Sequence, residues 1–78
     1  MKPTPDEIQA LVKRQLGLRE VRLEDDLAAD LGAVSADIIN IVAALEDLYN
    51  VVIGEEELPD IHTVEQLYRL VCERVEGQ

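Results

Sequence analysis

Hydrophobic side chains recur at helical spacing in three segments of the chain. The first predicts a helix over residues 5–16. Thr4-Pro5-Asp6-Glu7 supplies a capping threonine, a proline at the first helical position and an acid at the third. Gly17 supplies a left-handed stop. The face predicted to be buried consists of Ile8, Leu11, Val12 and Leu16.

The second segment, from Ser35 to Tyr49, is the most apolar of the three. Ser35 lies at its start, where the hydroxyl can cap the first free N–H groups, and Asn50 suits a left-handed residue beyond its end. A helix start also favours a covalently held phosphate, because backbone donors and the positive end of the helix dipole meet there. The predicted core stripe is Ile38, Ile41, Val42, Leu45, Leu48 and Tyr49, widened by Ile39.

Thr63-Val64-Glu65-Gln66 is a capping box that opens the last helix, which is expected to end before Gly77. Ahead of it, the acids at 55–57 favour a short helix after Gly54, and Pro59 limits that helix to one or two turns. The last helix is predicted to bury Val64, Leu67, Tyr68, Val71 and Val75 and to hold Arg69 and Arg74 outside.

A long connection over residues 17–33 joins the first two helices, with a turn of helix expected around Leu27. Ordered loops of this length are often functional. The chain therefore predicts an all-α fold, three main helices plus one short helix, as a single domain over residues 1–78. The side chains expected to pin the connection to the bundle are Leu18, Val21, Leu23, Leu27 and Leu31.

The charges change this picture. The chain has 17 acidic and 7 basic residues and a formal net charge of −10, and residues 23–68 hold 12 acids without a Lys or Arg. Such a surface repels nucleic acid and anionic membranes and attracts basic protein partners. The most apolar run, residues 38–45, is too short to span a bilayer. With no secretory signal and one cysteine, Cys72, we expect a cytoplasmic monomer without membrane insertion.

Few residues offer chemistry of their own. There is no Gly-x-Ser-x-Gly elbow, and His62 has no second ligand close in sequence. The acids at 55–60 lack the spacing of a calcium-binding EF-hand loop. Cys72 flanks the last helix's buried stripe and is expected to be a small core residue. We therefore predict no metal site, no catalytic residue and no enzymatic activity.

Four motifs in order resemble those of the acyl carrier protein family. They are Asp30-Leu31-Gly32-Ala33 ahead of Ser35, Ala44-Leu45-Glu46 followed by Tyr49, Ile53 with Glu55-Glu56-Glu57, and Ile61-His62-Thr63-Val64. The resemblance implies an acyl-carrier-like four-helix bundle. It also implies that a phosphopantetheinyl transferase attaches 4'-phosphopantetheine from coenzyme A to Ser35. The arm's thiol would hold acyl groups as thioesters for enzymes of fatty acid, polyketide or lipid A-type biosynthesis.

The resemblance also assigns roles near the serine. Gly32 would allow the close turn before the helix, and Asp30 would either contact the transferase or anchor the loop. The side chains that could part to admit an acyl chain, or simply pack the core, are Ile41, Val42, Leu45, Ile53, Ile61 and Leu67.

The family's Asp-Ser-Leu motif reads Val34-Ser35-Ala36 here. Val34 cannot pair with Arg, and Ala36 is smaller than the usual leucine, so a specialised carrier is predicted. Its partners would be acyl-transferring or chain-extending enzymes with basic docking patches. The remaining candidates for the partner-facing surface are Asp37, Asn40, Ala43, Glu46 and Asp47.

Two other functions fit the same pattern. An aminoacyl or peptidyl carrier would have the same fold and arm. An unmodified helical adaptor would keep the fold without the chemistry, and the altered motif around Ser35 supports that alternative.

Overall fold

The computed structural model describes residues 2–77, and this part of the chain is built from helices. They are α1 (Pro5–Leu16), α2 (Ser35–Tyr49), a six-residue 3₁₀ helix (Glu55–Asp60) and α3 (Val64–Glu76). The only β pairing within these residues is an isolated bridge between Asp26 and Thr63. The predicted all-α fold, with three main helices and one short one, is confirmed.

Local capping explains where α1 and α3 begin. Thr4 Oγ1 accepts a hydrogen bond from Glu7 N at 3.2 Å, and Thr63 Oγ1 accepts one from Gln66 N at 3.1 Å. Gly17 ends α1 at φ 67°, the left-handed conformation that glycine adopts without strain. The sequence signals at these three helix ends therefore predicted the structure correctly.

One hydrophobic core joins the three α-helices with the connecting segments. The connection before α2 contributes Val21 and Leu27, and the segments around the 3₁₀ helix contribute Val51, Ile53 and Ile61. Full burial of such side chains stabilises the fold by about 1.5–3 kcal/mol each. The side chains with no exposed surface are Ile8, Val12, Leu45, Val64, Leu67 and Val71.

The predicted buried stripe of α2 was too wide. Ile41, Val42, Leu45 and Tyr49 are buried, but Ile39 is 54% exposed and Leu48 is 44% exposed. Successive helical residues are separated by about 100°, so these two side chains fall on opposite flanks of the buried stripe. In the other helices, three residues that were predicted to be buried are only half-buried: Leu16, Tyr68 and Val75.

The long connection is fixed against the start of α3. Leu27 N donates to His62 O at 2.8 Å, Val64 N donates to Asp25 O at 3.1 Å, and Glu65 N donates to Leu23 O at 2.9 Å. The helical turn expected around Leu27 is present as a turn over residues 27–31. This connection therefore forms an ordered wall beside α2.

Arg74 does not lie free on the outside of α3, as the sequence pattern suggested. Its guanidinium pairs with Glu57 of the 3₁₀ helix, and both side chains are about two-thirds buried. Arg69 is exposed as predicted and pairs with Glu65 one turn earlier. The difference arises because Glu57, distant in sequence, is brought by the 3₁₀ helix close enough to Arg74 to pair with it.

Candidate functional site

The start of α2 presents Ser35 to solvent. Ser35 is the first helical residue and Val34 is the N-cap, so the prediction that the serine hydroxyl caps the helix was wrong. A capping side chain has to stand one position earlier to reach the N–H groups of the first turn. Instead, Val34 N donates to Asp37 Oδ2 at 3.0 Å. Within residues 2–77 the Ser35 hydroxyl makes no hydrogen bond, so its oxygen is open to modification.

A hydrogen-bonded turn precedes this serine. Gly32 adopts φ 72°, where a side chain would be strained. Asp30 Oδ2 accepts from Asp26 N at 2.7 Å, so Asp30 does anchor the loop; its contact with a transferase stays a prediction. Ala33 is buried, and its N–H donates to Leu27 O at 2.8 Å. A side-chain hydrogen bond to Asp30 and a backbone hydrogen bond from Ala33 thus hold the backbone that leads to Ser35.

An open cleft of about 570 Å³ begins beside Ser35. Its walls come from the first two turns of α2, from the connection around Leu27, and from the 3₁₀ helix with the residues that follow it. Most of the lining is aliphatic, with two carboxylates and one imidazole at the edges. The lining residues are Asp26, Leu27, Ala28, Ser35, Ile38, Ile39, Glu55, Leu58, Pro59, Ile61 and His62.

Only Ile61 of the six predicted acyl-pocket residues lines this cleft. Ile41, Val42, Leu45, Ile53 and Leu67 lie in the packed core, at most 6% exposed, and their role toward an acyl chain stays a prediction. Sequence reasoning missed Ile38 and Ile39 as lining residues, although their positions three and four residues after Ser35 could have indicated them. It also missed the following pair, which only the packing of the 3₁₀ helix brings to the cleft: Leu58 and Pro59.

The predicted partner-facing residues fall into two groups. Val34, at 62% exposure, is open to solvent together with four residues of α2: Ala36, Asn40, Ala43 and Asp47. The two other acids are partly buried and hydrogen-bonded to backbone. Asp37 accepts from Val34 N, and Glu46 Oε2 accepts from Ile53 N at 2.9 Å. The surface nearest Ser35 therefore offers fewer free carboxylates than the sequence suggests.

The remaining candidates lie away from Ser35 or at the edge of its cleft. His62 is exposed at the rim. Cys72 is half-buried beside Tyr68, so it borders the core more than it fills it. Across residues 2–77, no three His, Cys, Asp or Glu side chains are grouped so that they could hold a metal ion. In the same part of the chain, no helix combines the length and apolarity needed to cross a membrane.

Comparison with known proteins adds to this geometry. A family model described as the phosphopantetheine attachment site matches residues 6–71. An acyl carrier protein of Wolinella succinogenes is 38% identical over 68 residues, which cover 85% of this chain and 90% of the relative. An acyl carrier protein of Trieres chinensis is 33% identical over 66 residues, 82% of each chain.

Solved structures give the same result for the fold. The crystal structure of an acyl carrier protein from Thermotoga maritima superposes with a TM-score of 0.80 at 27% identity, covering 92% of this chain and 86% of that one. A chain in the structure of the ishigamide ketosynthase/chain length factor superposes with a TM-score of 0.75 at 26% identity, covering 92% of this chain and 93% of that one. The helical arrangement of this chain is thus the fold of these proteins.

Proposed function

This chain belongs to the acyl carrier proteins, whose prosthetic group is 4'-phosphopantetheine, and we propose that the arm is attached to Ser35 Oγ. Proteins of this family carry acyl groups and are not enzymes themselves. The bound arm supplies a thiol that holds the acyl group as a thioester. The observation that carries the proposal is the exposed Ser35 hydroxyl, free of hydrogen bonds within residues 2–77, at the open start of α2.

The surroundings of Ser35 suit a phosphodiester. The backbone N–H groups of Ser35, Ala36 and Asp37 have no acceptor among residues 2–77, since the N-cap Val34 has no polar side chain. Unpaired N–H groups and the positive end of the helix dipole both favour a negatively charged phosphate. Attachment leaves this charge close to the first turn of α2.

The cleft beside Ser35 supports an apolar cargo. An acyl chain on the arm could place its first carbons against Ile38 and Leu58, where each buried methylene contributes about 0.8 kcal/mol. The candidates deeper in the core would contact the chain only if α2 and the 3₁₀ helix moved apart. An apolar cleft favours fatty acyl or polyketide cargo over the aminoacyl alternative, which would place an ammonium group there.

The partners we propose are a phosphopantetheinyl transferase and acyl-transferring or chain-extending enzymes. The similarity to a chain in a ketosynthase/chain length factor structure supports the chain-extending class. A net charge of −10 attracts enzymes with basic docking patches from a distance. The exposed Val34 and Ala36 support a specialised carrier in fatty acid, polyketide or lipid A-type biosynthesis, because they offer a neutral surface beside the serine.

Intact mass spectrometry tests the attachment site. After co-expression with a broad-specificity phosphopantetheinyl transferase, the protein should gain the mass of one phosphopantetheine. Ser35→Ala should abolish the gain and leave the helical circular dichroism unchanged, because the hydroxyl holds nothing in the fold. Thr63→Ser, which keeps a hydroxyl at the start of α3, should be modified like the wild type. A mass gain that persists in Ser35→Ala contradicts the assignment, and a wild type that stays unmodified supports the adaptor alternative.

A further inference from the structure

The part of α2 closest to Ser35 is almost free of charge. From Ser35 to Leu45 the only charged side chain is Asp37, and its carboxylate is held by Val34 N. One turn beyond the serine, Ile39 is 54% exposed and lines the same cleft as Ser35. The face beside Ser35 is therefore apolar at its centre.

Two of the exposed hydrophobic side chains lie close to the serine in sequence. Residues 2–77 contain four large ones, Val34, Ile39, Leu48 and Val52. Val34 precedes Ser35 directly, and Ile39 follows it by four residues, the spacing that places two side chains side by side on a helix. An enzyme bound over Ser35 Oγ would therefore lie next to both side chains. Single exposed aliphatic residues are common on proteins, but two beside the proposed attachment site favour an apolar contact there.

On α2 and in the turn before it, the acids that could attract a basic patch at close range are distant or held. Glu55, exposed on the 3₁₀ helix, is the further acid that lines the cleft with Ser35 and Asp26. Asp47, exposed on α2, lies twelve residues after Ser35, about 18 Å along the axis. Glu46 is tied to Ile53 N. In the preceding turn, Asp26 accepts from Ala28 N and Ala29 N, and Asp30 accepts from Asp26 N. These carboxylates still contribute to the long-range field, but those of Asp26, Asp30 and Glu46 are held by backbone N–H groups.

We propose that the transferase that modifies Ser35 docks on this chain through an apolar contact centred on Ile39, with Val34 at its edge. The complementary surface on the transferase is a pocket of aliphatic or aromatic side chains. The negative charge of the carrier steers the approach, and burial of Ile39 holds the complex. This inference rests on the proposed function, because it requires Ser35 to be the acceptor.

Steady-state kinetics of modification test the contact. The probe is a broad-specificity phosphopantetheinyl transferase with coenzyme A, and the variants are Ile39→Asp, Ile39→Ala and Val52→Asp. Val52 is the matched control: it is 78% exposed, lies beyond the far end of α2, and receives the same added charge. Ile39→Asp should lower kcat/KM about tenfold or more, mainly through KM, because a carboxylate replaces buried aliphatic surface. Ile39→Ala should lower it about threefold, and Val52→Asp should stay within about twofold.

The sign of the effect separates the two kinds of docking. If a basic patch of the transferase contacts this face, Ile39→Asp adds a favourable charge and modification becomes faster. An Ile39→Asp rate equal to or above the wild-type rate therefore overturns the apolar contact and leaves the assignment of Ser35 intact. A wild type that is never modified overturns both. Circular dichroism of each variant shows that the fold is retained.

Discussion

The starts of α2 and α3 differ in how their backbone N–H groups are paired. At the start of α3, the first three N–H groups donate to Asp25 O, Leu23 O and Thr63 Oγ1. At the start of α2, the N–H groups of residues 35–37 have no acceptor within residues 2–77. One start is closed by a docked loop and a threonine, and the other is open to solvent.

This difference separates a structural helix start from one available for modification. Paired N–H groups can be withdrawn from water because the hydrogen bond in the protein replaces the one to water, so the closed start of α3 can lie against the connection. Unpaired N–H groups are satisfied only by water or a ligand, so the open start has to remain at the surface. Val34 and Thr63 are nearly equal in shape, and a single oxygen distinguishes the two N-caps. Exchanging them tests the comparison directly.

The largest effect is expected from Thr63→Val. Loss of Oγ1 removes the N-cap acceptor of the Gln66 N–H, so the free energy of unfolding should fall by about 1–2 kcal/mol. Urea denaturation followed by circular dichroism measures this. Ser35→Ala is the matched control at the open start and should change stability by less than about 0.5 kcal/mol. Equal losses in the two variants would mean that the starts of α2 and α3 do not differ energetically.

A smaller effect of opposite sign is expected from Val34→Thr. The new hydroxyl stands at the N-cap, where it can accept from the first turn of α2, and it should raise the free energy of unfolding by about 0.5–1 kcal/mol. Val52→Thr makes the same change at an exposed site outside any helix and should have little effect. If Val34→Thr gains nothing over that control, the hydrogen bond from Val34 N to Asp37 already suffices to fix the start of the helix.

The smallest effect at neutral pH is expected at the other end of α2, where an unpaired polar group is buried. The Tyr49 hydroxyl has no hydrogen-bond partner among residues 2–77. Tyr49→Phe removes it and should alter the free energy of unfolding by about 0.5 kcal/mol or less, toward greater stability.

Alkaline pH should enlarge this difference. Burial of the ring, and to a lesser degree the charge of Glu7, raise the pKa of Tyr49 above its ordinary value of 10.0. Above pH 10 the unfolded chain loses this proton while the folded protein keeps it, so wild-type stability falls as pH rises toward the folded-state pKa. Thermal melts between pH 9 and 11 should show a larger loss for the wild type than for Tyr49→Phe. Parallel losses would show that Tyr49 ionises alike in both states.

The sequence by itself determined the features that depend on near neighbours. A cap and the residue it serves lie three positions apart, so Thr4, Thr63 and Gly17 marked three helix ends correctly. The order of motifs around Ser35 likewise indicated the family and the candidate attachment point. The capping signals involve contacts within about one helical turn, so they depend little on how the rest of the chain packs.

Tertiary structure alone decided which side chains remain outside the core. The sequence pattern assigned Ile39 and Leu48 to the same buried stripe as Leu45. Because α1, α3 and the connection pack against only part of α2, those two side chains remain exposed. Tertiary packing also brought Leu58 and Ile38 into the lining of one cleft. Burial depends on residues distant in sequence, because a helix face is covered only where another element packs on it. For that reason the sequence located the serine, while the apolar surface beside it emerged only from the fold.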